Sequence, residues 1–422
     1  MVVLVVLILV ESVLISACYK NSGKMSYDMS VQIIRAARAL TPTEEIIDAA
    51  VVIEDGVIVA VGRREGIVAP KGAKDHDARI HILVPGFVDV HIHGAGARDV
   101  MEATPEALRI VATTVARHGT TSLVATTVTA PTDEICHSLE GIARYIQSPA
   151  NQTPPDAPLA QMTGIHLEGP FLSHLRRGVH PPESLALPTV ATLKRFLEAA
   201  NGSARILTIA PELPGATEVI DSARDAGMTV ALGHTDATYD QAHTGIEHGA
   251  RHAVHVFNAM RPFSHRETGV LGAVLTDPQV TAEVIADGIH VDDPAIRLLL
   301  AAKGTQRVIL VSDGTAATGM PDGVYRLGPF EFTVSGGVCR NAEGRLAGST
   351  LTLDRAVQHL AGLGVSLREA VQMATLNPAA RLGLAGKKGV IAPGADADLV
   401  LLTSKLEVAG VMTRGVGFFM QS

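Results

Sequence analysis

The sequence predicts a (β/α)8 barrel carrying a small β-sandwich assembled from both ends of the chain. Three features point to it. Eight short apolar runs alternate with helical patterns through the middle of the chain, β-rich hairpin segments lie outside that alternation at both ends, and 422 residues exceed one small domain. Hydrophobic residues make up 47% and charged residues 18%, ample apolar material for such a core.

Residues 1–25 are an apolar extension, and Ile15-Ser16-Ala17-Cys18 looks like a lipoprotein cleavage site. No Lys or Arg precedes the apolar run, Glu11 interrupts it, and it is too short to span a bilayer. A start assigned too far upstream accounts for it better, with Met25 or Met29 as the first residue. Residues 26–80 supply the first part of the sandwich, in which Glu54-Asp55-Gly56 is a hairpin turn between Val51–Ile53 and Val57–Gly62. Residues 81–384 form the barrel. Its strands end near His91, Thr126, Glu168, Pro211, His234, His255, Asp287 and Asp313. Thr104-Pro105 opens the first barrel helix and Arg117-His118-Gly119 closes it. Asn151–Pro158 is a Pro-rich connection, and 320–350 a Gly-rich hairpin insertion. Residues 385–422 complete the sandwich through Gly389–Ile391 and Leu399–Leu402.

A net charge of −8, no tryptophan, five tyrosines and nine phenylalanines argue against nucleic-acid binding. Three cysteines without a Cys-x-x-Cys cannot make a disulfide framework and favour a reducing, cytoplasmic setting, with a lipoprotein anchor the alternative if residues 1–18 are a signal. No membrane partner is expected.

Seventeen histidines stand out, and their spacing decides the reading. In His91-x-His93, residues i and i+2 of one strand put both imidazoles on the same face. Alone that motif is weak. Glu168, His234, His255 and Asp313 also sit at strand C-termini, where barrel enzymes place their chemistry. Each group singly is more often structural, but the set reads as a divalent metal centre. Imidazole plus carboxylate suits zinc or iron. Such a metal lowers the pKa of a water ligand to about 7, and Asp313 can take the proton and return it to a leaving group.

The strings Pro85–Gly94, Gly164–Phe171, Leu232–Ala237, His255–Met260, Ala286–Asp292 and Val311–Thr315 resemble the amidohydrolase superfamily and, within it, the N-acetylglucosamine-6-phosphate deacetylase family. The first string is shared across the superfamily. His-Leu-Glu-Gly-Pro-Phe and His-x-Phe-Asn-Ala-Met are specific to the deacetylases. Relatives that bridge two metals with a carboxylated lysine have no counterpart here, because Lys194, the only lysine between His93 and His234, falls in a helical pattern.

The resemblance implies that Glu168, His234 and His255 bind the main metal and that Asp313 is the general acid/base. Some family members lack the first histidine of the pair and use one metal. This chain keeps His91 and His93, which leaves room for a second, so one or two per subunit. The resemblance further implies that His180, Asn258, Ala259, Arg266 and His290 bind a phosphorylated amino sugar, and that the protein is a homodimer whose Arg266 loop can complete the neighbouring pocket. For Arg266 the plain alternative is a solvated loop cation, and for His180 a loop hydrogen bond. Leu346–Thr350 resembles the segment that closes over the sugar. The implied reaction is hydrolysis of the acetamide of N-acetylglucosamine 6-phosphate. Deacylation of N-acetylgalactosamine 6-phosphate or an N-acyl amino acid is the nearer alternative, and a non-catalytic metal-binding scaffold the more distant one.

Overall fold

The computed structural model describes residues 31–152 and 157–417. The apolar extension and part of the Pro-rich connection lie outside the described residues. Strands β1 (Gln32–Leu40), β2 (Glu45–Glu54), β3 (Val57–Arg63) and β4 (Lys74–Pro85) form one end of a seven-stranded sheet. β4 runs past the expected boundary at residue 80, and Gly86 leads directly into the barrel.

The eight barrel strands are β5 (Phe87–Ile92), β6 (Thr120–Thr127), β7 (Gln161–Glu168), β8 (Ala204–Ile209), β9 (Thr229–Leu232), β10 (Ala250–Ala253), β11 (Thr281–Val284) and β12 (Val308–Leu310). They pair in parallel in chain order. Beyond the strand ends the barrel closes: Ile92 bridges Gly314, Asp313 N–H donates to the His91 carbonyl at 2.9 Å, and His93 N–H to that of Gly314 at 2.8 Å. Every residue of β5 and β6 is buried. Both faces of a barrel strand are covered, which explains continuous apolar-and-threonine runs instead of alternation.

Helices α1 (Pro105–Ala116), α2 (Thr132–Gln147), α3 (Val190–Ala200), α4 (Ala216–Asp225), α5 (Tyr239–His248), α6 (Gly269–Thr276), α7 (Asp293–Lys303) and α8 (Leu353–Gly362) follow the strands. α1 shows why the start signal was readable. The Thr104 side chain accepts from Ala107 N–H, proline fills the first turn, and Ala107, Leu108, Val111, Ala112 and Val115 make the buried stripe. Lys194 is exposed on α3, outside the barrel.

The insertion after β12 is a three-stranded antiparallel sheet, β13 (Gly323–Leu327), β14 (Phe330–Ser335) and β15 (Val338–Arg340). β16 (Leu399–Leu402), β17 (Val408–Thr413) and β18 (Val416–Gly417) then return to the terminal sheet, where β16 pairs antiparallel with β4. This sheet curls over itself. Ile58 N–H donates to the Ala395 carbonyl at 2.8 Å, and the Gln32 side-chain amide to that of Gly415 at 2.8 Å. Neighbouring residues go to opposite faces: Ile34, Val51 and Ile53 to one apolar cluster, Ile33, Ala50 and Val52 to another.

Candidate metal centre and active site

At the C-terminal mouth of the barrel, His91, His93, Glu168, His234, His255 and Asp313 converge, none more than 8% exposed. The backbone turns sharply to aim three of them. His234, His255 and Asp313 have φ of 48°, 26° and 49°, left-handed values at a cost of about 1–3 kcal/mol each. Such strain persists where the surroundings over-determine it, and here it sits at the ends of three barrel strands.

Glu168 is the hub. Its Oε1 lies 3.0 Å from His255 Nε2, 3.3 Å from His234 Nε2 and 3.3 Å from His91 Nε2. Its Oε2 lies 3.3 Å from His93 Nε2. Asp313 Oδ1 faces the His91-x-His93 pair, at 3.2 Å from His93 Nε2 and 3.6 Å from His91 Nε2. The structure therefore brings together both ligand sets read from the sequence, with Glu168 between them.

The hydrogen bonds behind the rings set which nitrogen faces the centre. His234 Nδ1 donates to the Arg176 carbonyl at 3.0 Å and His93 Nδ1 to that of Thr126 at 3.0 Å. A carbonyl can only accept, so each ring turns a bare Nε2 inward. His91 Nδ1 is likewise taken by Glu283 at 2.8 Å. His234 Nε2 and His255 Nε2 stand 3.2 Å apart, both turned to Glu168 Oε1. The bare nitrogens of His91, His93 and His234 converge on carboxylate oxygens, an arrangement that needs shared protons or a cation. His91 Nε2 and His255 Nδ1 in addition have no hydrogen-bond partner. The donor set fits a divalent metal: His91 forms tight triads with Glu168 and His255 and with His93 and Asp313, and His234 Nε2 lies within 3.3 Å of both Glu168 and His255.

Protonation points the same way. Burial opposes charge on His93, but the hydrogen bonds and charges of Asp313 and Glu168 outweigh it and hold its pKa up to about 9. Burial likewise opposes ionisation of Glu168, yet the neighbouring His91 and His234 hold its carboxyl well below the usual range. A metal must displace the His93 proton at any pH below about 9, so its apparent affinity should fall as pH falls through neutrality. Titration calorimetry in buffers of different ionisation enthalpy should show release of about one proton or more per protein at pH 7. Metal uptake without proton release would contradict a protonated His93 in the metal-free centre.

His180 is built differently. Thr129 N–H donates to its Nδ1 at 3.2 Å, so the proton sits on Nε2. Burial pushes its pKa down to about 4 and keeps the ring neutral. It thus offers an N–H donor, not a lone pair, although Nε2 is only 3.5 Å from Glu168. His166, one layer deeper, is satisfied by the Val90 carbonyl at 3.2 Å and Thr208 Oγ1 at 2.7 Å.

A cavity of about 300 Å³ opens above the centre, lined by His93, Glu168, His180, His234, His255, Asn258, Ala259, His290 and Asp313 with Arg345, Leu346 and Gly348. His290 Nδ1 is paired with Asp287 at 2.7 Å, whereas its buried Nε2 has no partner. Arg266 is the residue the structure does not bring to this cavity. It is exposed on the Ser264–Glu267 turn and lines no part of the wall. Sequence reading missed Glu283 and Arg345. Glu283 was detectable as a charge inside an otherwise uncharged strand, and Arg345 carried no signal.

The amidohydrolase family matches residues 82–416. The chain belongs to the amidohydrolase family. Within it, the chain is 38% identical over 384 residues to an N-acetylgalactosamine-6-phosphate deacetylase of Escherichia coli O157:H7, covering 91% of this chain and 98% of the relative. It is 34% identical over 384 residues to an N-acetylglucosamine-6-phosphate deacetylase of Bacillus subtilis, covering 91% and 96%. Among solved structures, a mutant N-acetyl-D-glucosamine-6-phosphate deacetylase from Mycobacterium smegmatis in complex with N-acetyl-D-glucosamine-6-phosphate superimposes with a TM-score of 0.85 at 38% identity, covering 92% of this chain and 99% of that one. Amidohydrolases are metal-dependent, which agrees with the donor set. Among the described residues, no helix is long and apolar enough to cross a membrane.

Proposed function

We propose that the chain hydrolyses the acetamide of N-acetylglucosamine 6-phosphate to glucosamine 6-phosphate and acetate, with zinc or iron at Glu168, His234 and His255 and a second metal at His91 and His93. The observation that carries this reading is the facing pair at the barrel mouth. The Asp313 carboxylate lies beside the donor cluster, and the neutral His180 presents its Nε2–H to the same cavity. A divalent metal held there supplies Lewis acidity and lowers the pKa of water. Asp313 accepts the proton of the attacking water as its oxygen bonds to the carbonyl carbon, then gives that proton to the amine nitrogen as the C–N bond breaks. His180 donates to the carbonyl oxygen, where negative charge develops. Asn258, Ala259 and His290 lie on the wall that takes the rest of the sugar phosphate.

The family resemblance is the ground for a homodimer in which Arg266, exposed and away from its own cavity, reaches the partner's, and the free Cys136 and Cys339 support a reducing, cytoplasmic setting. Arg266→Ala should raise KM for the phosphorylated sugar, lowering kcat/KM by about 10- to 100-fold for one charged hydrogen bond, and should scarcely change turnover of the unphosphorylated sugar. Equal losses on both substrates would remove the phosphate role.

Metal stoichiometry is tested by elemental analysis. Wild type should hold more than one equivalent, and the His91→Gln, His93→Gln double variant about one fewer. Equal content in both would leave a single-metal centre.

The 38% identity to an N-acetylgalactosamine-6-phosphate deacetylase favours one second reading, that epimer as substrate. Acetate release from both 6-phosphates and from unphosphorylated N-acetylglucosamine decides. The proposal expects the gluco 6-phosphate to give the highest kcat/KM, and a higher value for the galacto epimer would replace it.

A further inference from the structure

We propose that Glu283 is a positioning residue that makes His91 a metal ligand, through a buried carboxylate–imidazole pair. The inference rests on the reading of His91 and His93 as a second metal site. Glu283 lies on β11, fully buried, one layer below the ligand cluster. Both of its oxygens are committed away from the cluster. Oε2 takes the His91 Nδ1 proton at 2.8 Å and the His255 backbone N–H at 3.2 Å, while Oε1 meets His252 Nε2 at 2.8 Å. His252 is itself held from behind, Nδ1 to Thr281 Oγ1 at 2.7 Å.

Glu283, His91 and His166 also lie close enough together to be taken for a metal site. They are not one, because both nitrogens of His166 and both oxygens of Glu283 are already engaged. The charge of Glu283 therefore acts on the centre through the ring of His91, the one ligand side chain it touches. Its hydrogen bond fixes the proton on Nδ1 and points Nε2 at the cluster, and its charge makes that Nε2 a better donor to a cation. The same oxygen accepts the His255 backbone N–H, a bond that a glutamine amide oxygen in its place would keep. A neutral amide of the same shape could fill the space, so the charge itself is the feature a purely structural role leaves unused.

The test is metal binding, read apart from turnover. Stripped wild type and Glu283→Gln are titrated with zinc against a competing chelator, with circular dichroism as the check on folding. Glu283→Gln should bind the first equivalent as wild type does and the second about 10- to 100-fold more weakly. In a His91→Gln background, adding Glu283→Gln should weaken metal binding no further, because the residue it acts through is gone. Two equivalents bound by Glu283→Gln at wild-type affinity would overturn the proposal and leave the second site standing. A single equivalent in wild type would overturn the second-site reading and this proposal with it. Should Glu283→Gln be insoluble, Glu283→Asp serves instead, since it keeps the charge but withdraws it from His91. The second equivalent should again weaken more than the first, and two equivalents at full affinity would again overturn the proposal.

Discussion

Asp313→Asn should lower turnover by about 10²-fold or more while metal content and substrate binding stay near wild type. Asparagine keeps the size and much of the hydrogen-bonding shape of aspartate but cannot cycle a proton. The amine leaves poorly unless protonated, so losing the group that carries the proton from water to nitrogen removes transition-state stabilisation without removing ground-state contacts. Asp313 is well placed for this. It is buried beside His93 at 3.2 Å, and although burial raises its pKa, the His93 hydrogen bond and the neighbouring histidine charges bring it below the ordinary value. It is thus ionised and ready to accept a proton at neutral pH. Kinetics and elemental analysis on the same preparation separate the alternatives. A parallel fall of metal and turnover, partly restored by added metal, would make Asp313 a ligand instead. Turnover within a few-fold of wild type would rule out both roles.

The second large effect is expected at Glu168. Glu168→Gln should cut bound metal and activity together, because its two oxygens reach His91, His234 and His255 on one side and His93 on the other. Losing an indirect partner of a metal ligand typically costs 10- to 100-fold, so losing a carboxylate shared by both ligand sets should cost at least about 100-fold in activity. The substitution would also place an amide among inward-facing lone pairs and leave buried imidazoles short of negative charge. Full metal content in this variant would remove Glu168 from the ligand set.

The barrel was legible because its strands are buried on both faces and end in the residues that matter. The apolar runs leading into His91, Glu168, His234, His255 and Asp313 stop where the strand or its left-handed turn stops. The i, i+2 rule gave the shared face of His91 and His93, and both do reach Glu168. The chemical form of each histidine was not legible. His180 and His234 look alike in sequence, yet Thr129 N–H behind one ring and the Arg176 carbonyl behind the other make a donor of the first and an acceptor of the second. Those partners come from loops distant in the chain. Glu283 was passed over for a related reason. Its meaning depends on His91 and His252 from other strands, and only closure of the barrel brings them together. Arg266 marks the other limit, since its own subunit leaves it exposed on the Ser264–Glu267 turn, away from the cavity.

Whether this mouth of the barrel is a metal-dependent deacetylase of a phosphorylated amino sugar is decided by one assay. Acetate release from N-acetylglucosamine 6-phosphate is followed with the purified full chain, before chelation, after exhaustive chelation, and after return of zinc or ferrous iron. Release from the untreated protein, loss on chelation and recovery with added metal are expected. Release that persists undiminished in protein shown to be metal-free, or none from metal-loaded protein, would contradict the assignment.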